Sequence, residues 1–238
     1  MKKIAQISVF LPAYNEEDNI KATIASVEGV LKKISCEYEI LVVNDGSSDN
    51  TGEIVRDLIK RNNKIRLVNH SVNHGYGAAF KTGLYSVRYS YVVQMDSDGQ
   101  FDFSQVEKFI EKIDQADLII GYRIARTDSF YRRFMARVLW LADFILFGLD
   151  FKDIDCGFKL FKRQILEEMP KLKTESAITV TEFVARAKHA GAKIAQVGVN
   201  HYSRSGGMQT GGKPSIIFKA SWQGILLWFF LLKEKIWK

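Results

Sequence analysis

The sequence lacks several features that mark particular classes of protein. Its two cysteines, Cys36 and Cys156, are too few for a disulfide framework, lack metal-ligand spacing and fit a reducing compartment. It has three prolines, no low-complexity tract and no repeat of fixed period, which argues against fibrous and repeat architectures. The longest apolar run, 225–232, is too short to span a bilayer, which needs about 20 apolar residues. The N-terminus leads straight into a strand pattern, so we expect no signal peptide.

The residues that are present are typical of a globular protein with an anionic partner. Apolar residues make up 47% and charged residues 26% of the 238-residue chain, which is long enough for one sizeable core. The net charge of +7 favours nucleotide phosphates, acidic lipid or nucleic acid as a partner. Because the positive charges are dispersed and no nucleic-acid motif occurs, we expect no nucleic acid partner.

Strand-like and helical patterns alternate along the chain with short connections. In the first half, strands are predicted at 4–11, 38–43, 65–68, 91–95 and 118–120, and helices at 15–33, 51–60, 78–84 and 104–113. The second half adds a helical pattern at 130–147, a loop at 153–157 entering an edge strand, a helix at 180–189, a strand at 193–199 and a helix from 214. This order predicts an α/β fold with one Rossmann-like, doubly wound, mostly parallel sheet flanked by helices.

Two carboxylates, Asp96 and Asp98, directly follow the apolar run at 92–95. Side chains two residues apart on an extended chain point the same way, so this pair can converge on one hard cation, Mg²⁺ or Mn²⁺. Gly99 lets the chain turn, and Gln100 lies close enough to join the site. The alternative is an ordinary solvated turn, because Asp, Ser and Gly are common turn residues.

Further polar loops fall at the same edge of the predicted sheet. Ligands of doubly wound sheets bind outside the carboxyl ends of the strands. Four loops are therefore expected to form a single rim there, namely 12–19, 44–49, 73–77 and 96–100. Gly75-Tyr76-Gly77 does not continue into a dinucleotide fingerprint, because the third glycine would fall at Phe80. Taken singly, Asp45 is equally explained as a turn cap, and Glu16 as a residue that favours a helix N-terminus.

Four motifs follow one another in a distinctive order and spacing. They are Pro12-Ala13-Tyr14-Asn15-Glu16-Glu17, Val43-Asn44-Asp45-Gly46-Ser47-Ser48-Asp49-x-Thr51, Asn73-x-Gly75-x-Gly77-Ala78-Ala79 and Asp96-x-Asp98-Gly99-Gln100. Together they resemble the family 2 glycosyltransferases of GT-A fold, in particular the dolichyl- and polyprenyl-phosphate sugar transferase branch. The resemblance covers residues 4–205.

The resemblance implies a set of site residues. A UDP- or GDP-sugar donor would be held by substrate-binding residues that include Pro12, Ala13, Tyr14, Glu16, Val43, Asp45, Asn73, Gly75 and Ser97. A divalent cation, Mg²⁺ or Mn²⁺, would be held on the donor diphosphate by Asp96, Asp98 and Gln100.

The second half of the chain resembles the family as well, with departures. Gly121-Tyr122-Arg123 is similar to Gly-Ser-Arg, whose arginine serves a phosphate, and Arg132 or Arg133 stands where a second phosphate-binding arginine is expected. The segment Asp153-Ile154-Asp155-Cys156-Gly157-Phe158 has Cys in place of Ser. His201-x-x-Arg204-x-x-Gly207 is similar to a motif whose arginine closes over the donor phosphates, although Gln209 replaces the usual serine.

The expected activity is a metal-dependent, inverting hexosyl transfer to a polyprenyl phosphate, with Asp98, Arg123, Arg204 and Asp153 as the catalytic set. A lipid phosphate is already anionic and needs cations to position it, whereas a hydroxyl acceptor needs a general base. For a sugar hydroxyl acceptor, the candidate bases are Asp153, Asp155 and Glu182, and Glu182 is also a candidate substrate contact. A nucleotide-sugar-binding scaffold without activity is the remaining alternative.

The C-terminal stretch carries aromatic residues with flanking lysines. Trp222, Trp228, Phe229, Phe230 and Trp237 indicate an amphipathic helix in the membrane interface. The alternatives are a helix packed on the domain, on a second copy or on a membrane-protein partner. We therefore expect a catalytic domain at 1–212 and an interfacial helix at 213–238, with the protein cytoplasmic and peripherally associated with the inner face of the membrane.

Overall fold

The computed structural model describes residues 3–124, 140–141, 143–176, 178–204 and 214–234. In the C-terminal helix, side chains are described from residue 222 on. Several residues of the sequence analysis lie outside the described residues, namely Arg132, Arg133, Gly207, Gln209 and Trp237, as does the predicted boundary between 212 and 213.

In the described part of the chain, seven strands form one sheet. They are β1 (Ile4–Ala13), β2 (Ser35–Asn44), β3 (Ile65–Asn69), β4 (Tyr91–Met95), β5 (Leu118–Arg123), β6 (Phe158–Lys162) and β7 (Ile194–Val199). The helices are α1 (Ile20–Ile34), α2 (Thr51–Arg61), α3 (Tyr76–Ser86), α4 (Val106–Ile110), α5 (Ile165–Glu168), α6 (Thr179–His189) and α7 (Pro214–Lys233), with a 3₁₀ turn at Phe103–Gln105. Residues 140–141 and 143–147 are helical as well.

The strand order β3-β2-β1-β4-β6-β5-β7 confirms the predicted α/β fold. β1 pairs in parallel with β2 and β4, β2 with β3, and β5 with β7. β6 is antiparallel to both of its neighbours, β4 and β5. The prediction of an edge strand after 153–157 is therefore wrong, because β6 lies inside the sheet and four of its five residues are buried.

Two predicted boundaries at the start of the chain are also wrong. β1 continues through Pro12 to Ala13, which pair with Val43 and Asn44 of β2. The pairing with β4 ends at Phe10, so Pro12 lies past that ladder, where its missing amide hydrogen breaks no bond to β4. The first helix starts at Ile20 instead of residue 15. Asn15 has a positive φ of 54°, which no helical residue adopts, so the segment before Ile20 is a loop.

Alternate residues of the central strands pack into two apolar cores, one on each face of the sheet. Val9 and Leu11 of β1 face the core beneath α1 and α4, whereas Phe10 faces the core beneath α3 and α6. The side chain of Val43 of β2 belongs to the second core and is wholly buried, so its predicted contact with substrate stays a prediction for the backbone alone. Strands buried on both faces are typical of parallel sheets.

The C-terminal helix α7 packs on the second core through one side only. Leu227 and Leu231 are buried there. At its end, Glu234 forms a 2.8 Å ion pair with the buried Arg186 of α6. The predicted C-terminal helix is thus confirmed, and it is fixed to the domain. None of the helices within the described residues is long and apolar enough to cross a membrane.

Candidate active site

The loops that follow β1 and β2 are joined at the carboxyl edge of the sheet. The amide of Asn15 donates to Ser47 Oγ at 2.9 Å, and Asn15 Oδ1 accepts from the amide of Ser48 at 2.9 Å. The amide of Glu16 donates to Thr51 Oγ1 at 2.8 Å. Polar residues that the strand pattern placed at separate strand ends therefore form one continuous rim.

Asp45 organises the loop that follows β3. Its Oδ1 accepts the amide of His74 at 3.0 Å, and its Oδ2 accepts the amide of Gly75 at 2.7 Å. His70 Nδ1 lies 2.6 Å from Oδ1, and its Nε2 lies 2.9 Å from Thr82 Oγ1. Gly75 has a φ of 95°, which strongly favours glycine. These bonds reach 29 and 30 positions along the chain, so Asp45 fixes the segment that contains Asn73 and Gly75, and its place in donor binding stays a prediction.

The loop after β4 alternates between the interior and the rim. Asp96 and Asp98 are partly exposed, whereas Ser97 between them is buried. The Ser97 hydroxyl donates to the carbonyl of Pro12 at 2.7 Å, and its own carbonyl accepts from Thr23 Oγ1 at 3.1 Å. The Ser97 side chain thus points inward and ties the loop to the end of β1, so the predicted substrate contact of Ser97 stays a prediction for its backbone alone.

The charged form of Asp96 is destabilised where it lies in this loop. Burial and the charge of Asp98 raise the pKa of Asp96 to about 6, although hydrogen bonding from Tyr76 opposes the shift. A divalent cation would relieve that repulsion, and carboxylate oxygens are the ligands that Mg²⁺ and Mn²⁺ prefer. Within the described ranges, no group of three or more His, Cys, Asp or Glu could hold a metal ion. Asp96 and Asp98 therefore fit a cation whose other ligands come from phosphate and water.

A segment after β7 crosses to the same loop. Gln100 Nε2 donates to the carbonyl of Tyr202 at 2.9 Å, and the amide of Tyr202 donates to the carbonyl of Gln100 at 2.9 Å. Arg204, two residues further, forms an ion pair with Glu16 at 2.5 Å. Burial raises the pKa of Glu16, with a further contribution from Asp98, while Asn19 and Arg204 oppose it. The structure thus brings Glu16, Asp98 and Arg204 together.

Arg123, at the end of β5, is held by Asp153. Its Nε donates to Oδ2 at 2.7 Å and its Nη2 to Oδ1 at 2.9 Å. Burial alone would lower the pKa of Arg123, but the hydrogen bonds and charge of Asp153 outweigh it and raise that pKa. Because both oxygens of Asp153 accept from a permanent cation, the geometry contradicts its predicted role as general base.

Glu182 lies away from the rim, on α6, and is wholly buried. Its carboxylate accepts from the amide of Thr174 at 2.8 Å, from Thr174 Oγ1 at 2.6 Å and from Arg186 Nε at 2.7 Å. Both predicted roles of Glu182, as base and as substrate contact, are therefore wrong. The residue joins α6 to the loop at 172–174.

The structure places the other predicted donor contacts at the rim. Pro12 and Ala13 are buried at the end of β1, and the carbonyl of Ala13 accepts the amide of Asp45 at 2.9 Å. Tyr14 is exposed, and Asn73 Nδ2 donates to the carbonyl of Asp45 at 3.2 Å. These residues lie beside Asp45, at the part of the rim where the sequence predicts that the donor nucleotide binds.

Sequence reasoning missed three polar residues close to Asp96. Asp96 belongs to the loop at 96–100, called the metal loop below after its predicted ligands. Gln94 is wholly buried in β4, and its Nε2 donates to Asp96 Oδ1 at 3.1 Å. The Tyr76 hydroxyl donates to the same oxygen at 2.8 Å. Lys159 of β6 is wholly buried near Asp96, and burial lowers its pKa against the opposing charges of neighbours that include Asp155 and Asp96. A polar residue inside the apolar run at 92–95 was the available signal for Gln94, since buried polar groups need partners.

Comparison with known proteins agrees with this geometry. The family description "Glycosyl transferase family 2" matches residues 8–169. A dolichyl-phosphate beta-glucosyltransferase of Dictyostelium discoideum is 31% identical over 217 residues, covering 82% of this chain and 65% of the relative. An undecaprenyl-phosphate 4-deoxy-4-formamido-L-arabinose transferase of Pseudomonas fluorescens is 26% identical over 203 residues, covering 84% and 58%. The chain therefore spans less than two thirds of the length of these two relatives.

Solved structures share the fold. A crystal structure of a mycobacterial protein has a TM-score of 0.70 at 21% identity, covering 93% of this chain and 72% of that one. Glucosyl-3-phosphoglycerate synthase from Mycobacterium tuberculosis, in complex with Mn²⁺, UDP-glucose and phosphoglyceric acid, has a TM-score of 0.65 at 21% identity, covering 93% and 77%. The predicted GT-A fold is confirmed. From the family match and these relatives, the chain belongs to glycosyl transferase family 2.

Proposed function

We propose that this protein transfers a sugar from a nucleotide-diphosphate sugar to a polyprenyl phosphate, either dolichyl or undecaprenyl phosphate. The observation that carries the proposal is the convergence of Asp96 and Asp98 with two arginines at one rim. Arg123 acts electrostatically on Asp96, and Arg204 pairs with Glu16, which in turn feels the charge of Asp98. A carboxylate pair among cations suits a reaction between phosphate groups bridged by a metal. The relatives named as dolichyl- and undecaprenyl-phosphate transferases support the same acceptor.

The donor nucleotide is proposed to lie along the rim formed by the ends of β1 and β2. Tyr14 is 38% exposed there and can stack on a base, while the loop fixed by Asp45 presents Asn73 and Gly75. The buried residues Pro12, Ala13 and Glu16, at and just after the end of β1, are proposed as the remaining donor contacts. Either a uracil or a guanine base is compatible with these contacts.

The donor diphosphate needs its charge neutralised as it leaves the sugar. A bound Mg²⁺ or Mn²⁺ supplies Lewis-acid stabilisation of that charge. Asp96 and Asp98, with Gln100 beside them, are the residues proposed to hold the ion. Arg204 supplies a second cation from the segment tied to Gln100. Arg204 pairs with Glu16, so a bound diphosphate would compete with Glu16 for its guanidinium.

The acceptor is proposed to be a phosphate because its oxygen is already anionic. A hydroxyl acceptor has three candidate bases. Two of them are buried in ion pairs, Asp153 with Arg123 and Glu182 with Arg186. The third, Asp155, is exposed. Arg123 uses Nε and Nη2 to bind Asp153, and a guanidinium has further donors for a phosphate. Either Arg132 or Arg133 remains proposed as a further phosphate contact. A single in-line attack on the anomeric carbon would invert its configuration.

The proposed acceptor requires access to a membrane, and α7 offers an apolar surface for it. Among the described side chains of α7, the exposed large apolar residues recur at helical spacing and are Trp222, Ile225, Leu226, Phe229 and Leu232. We propose that residues 1–212 form the catalytic domain and 213–238 the membrane contact, with the protein peripheral at the cytoplasmic face of the membrane. A second copy or a membrane protein on α7 is the competing arrangement.

Transfer of radiolabelled sugar to undecaprenyl or dolichyl phosphate tests the proposal directly. UDP-glucose, UDP-N-acetylglucosamine and GDP-mannose are compared with Mg²⁺, with Mn²⁺ and with chelator. We expect label in the lipid phase that depends on metal and is abolished by Asp98→Ala. Donor hydrolysis without lipid labelling would overturn the phosphate acceptor in favour of a hydroxyl, and donor binding without hydrolysis or labelling would favour the inactive nucleotide-sugar-binding scaffold.

A further inference from the structure

Tyr76 connects the segment at 73–75, which follows β3, to the metal loop at 96–100. It is the first residue of α3 and follows Gly75, whose amide is held by Asp45. Its ring is 42% exposed and stacks on Phe80 with centroids 6.4 Å apart. Its hydroxyl donates to Asp96 Oδ1 at 2.8 Å. One side chain therefore links the loop after β3 to the first carboxylate after β4.

Gln94 supports the same hydroxyl and the same carboxylate from below. Its Nε2 lies 3.0 Å from the Tyr76 oxygen, 3.1 Å from Asp96 Oδ1 and 3.1 Å from the carbonyl of Gly157. The two hydrogens of Gln94 Nε2 are shared among these three oxygens, and the tyrosine hydrogen donates to Asp96. Oδ1 of Asp96 thus accepts from two side chains that come from different elements.

The other oxygen of Asp96 is confined by backbone. A Cβ placed on Gly157 would lie 1.8 Å from Asp96 Oδ2, so only glycine fits beside this carboxylate. The amide of Asp96 also donates to the carbonyl of Gly157 at 2.9 Å. The Asp96 side chain is therefore held on both sides, by hydrogen-bond donors at Oδ1 and by the Gly157 backbone at Oδ2.

We propose that Tyr76 and Gln94 are positioning residues that fix the Asp96 carboxylate for a divalent cation. The inference rests on the proposed metal-dependent function and deepens it. A carboxylate whose orientation is already set loses less conformational freedom when it binds a metal. Tyr76 directly follows Gly75, whose amide is held by Asp45. The hydrogen bond from Tyr76 to Asp96 therefore couples the proposed nucleotide side of the rim to the proposed metal side.

A purely structural role for Tyr76 makes a different prediction. Its ring contributes to packing through Phe80, and that contact survives in Tyr76→Phe, which removes only the hydroxyl. Tyr85 provides a matched control on the same helix, because its hydroxyl accepts the amide of Leu172 at 2.8 Å, away from the metal loop. A structural role would make the two phenylalanine variants alike in metal affinity.

Binding of Mn²⁺ in the presence of UDP, followed by electron paramagnetic resonance of the free ion, tests the inference without sugar transfer. We expect Tyr76→Phe to weaken Mn²⁺ binding by about 10-fold or more, the usual effect of removing a group that orients a metal ligand. Tyr85→Phe should bind Mn²⁺ as the unaltered protein does. Gln94→Met, a second variant that removes the other donor to Oδ1, should weaken binding in the same direction.

The outcomes separate this inference from the proposed function. If the unaltered protein binds no Mn²⁺ with UDP, the metal-dependent function itself fails. If it binds Mn²⁺ and Tyr76→Phe binds equally well or more tightly, the positioning role of Tyr76 is overturned while the function stands. In a sugar-transfer assay, Tyr76→Phe should need a higher metal concentration for half-maximal rate. Its rate at saturating metal should fall by a smaller factor.

Discussion

The pair of Arg123 and Asp153 binds the end of β5 to the loop before β6. The Asp153 side chain is 4% exposed and that of Arg123 is 22% exposed. Removing one partner of a largely buried pair leaves the other charge poorly solvated. We therefore expect Asp153→Asn to lower the free energy of unfolding by about 2–3 kcal/mol, somewhat less than for a fully buried pair, as measured by urea denaturation.

Asp57→Asn is the matched control for this prediction, because Asp57 pairs with Lys60 and both side chains are largely exposed. It should leave the stability essentially unchanged, since exposed pairs are screened by solvent. A loss in Asp153→Asn no larger than in Asp57→Asn would show that water solvates the Arg123 pair as well.

Asp143 makes the stability depend on pH. Burial and the charge of Asp155 raise the pKa of Asp143 from 3.8 to about 8. The folded protein therefore holds this proton more tightly than the unfolded chain does. Its contribution to the free energy of unfolding is complete below the pKa of Asp143 in the unfolded chain, and it is lost as the pH rises through the pKa of Asp143 in the folded protein. We expect Asp143→Asn to be more stable than the unaltered protein at about pH 9, by a difference that shrinks towards about pH 5.

The measurement is thermal or urea unfolding of both proteins across this pH range. Asp150→Asn, a change at a nearby exposed carboxylate, serves as the control and should follow the unaltered protein throughout. A constant difference between Asp143→Asn and the unaltered protein at every pH would mean that Asp143 does not hold a proton in the folded state.

At the scale of elements, local pattern determined what formed but not where it lies in the sheet. The apolar runs at 91–95 and 118–120 predicted β4 and β5, because strands buried on both faces need apolar side chains throughout. The place of β6 between them depends on pairing of Phe158–Lys162 with residues some forty to seventy positions earlier, which no local pattern records. Lys159 is wholly buried within β6, although a charged residue in a strand is ordinarily exposed.

Site prediction followed the same division between local and long-range information. Asp96, Asp98 and Glu16 could be found from their motifs, and the carboxyl-edge rule correctly placed their loops together. Ser97 and Val43 lie in such motifs and Glu182 lies in a predicted helix, yet each side chain is buried in the protein. Which way a loop side chain points depends on partners such as the Pro12 carbonyl, which is far away in the sequence.

At the scale of the whole molecule, apolar surface is concentrated on helices that cover one face of the sheet. The helical segment at 143–147 and α7 both contribute to the second core, through Phe147 and Leu227. Both also leave apolar residues exposed, including Phe144 and Ile145 on the first and Leu226 and Phe229 on the second. Apolar exposure on two helices that cover the same core is typical of an interaction surface.

The exposed residues of α7 allow membrane association to be tested without disturbing the fold. Leu226 is 50% and Phe229 is 54% exposed, so charged replacements there cost little stability in water. We expect Leu226→Glu with Phe229→Glu to weaken binding to vesicles containing anionic lipid by about 10-fold or more, because affinity follows the apolar area buried. Val72→Glu, at an apolar side chain 58% exposed on the β3–α3 loop, should bind vesicles normally. Unchanged vesicle binding together with a change from dimer to monomer would assign α7 to contact with a second copy.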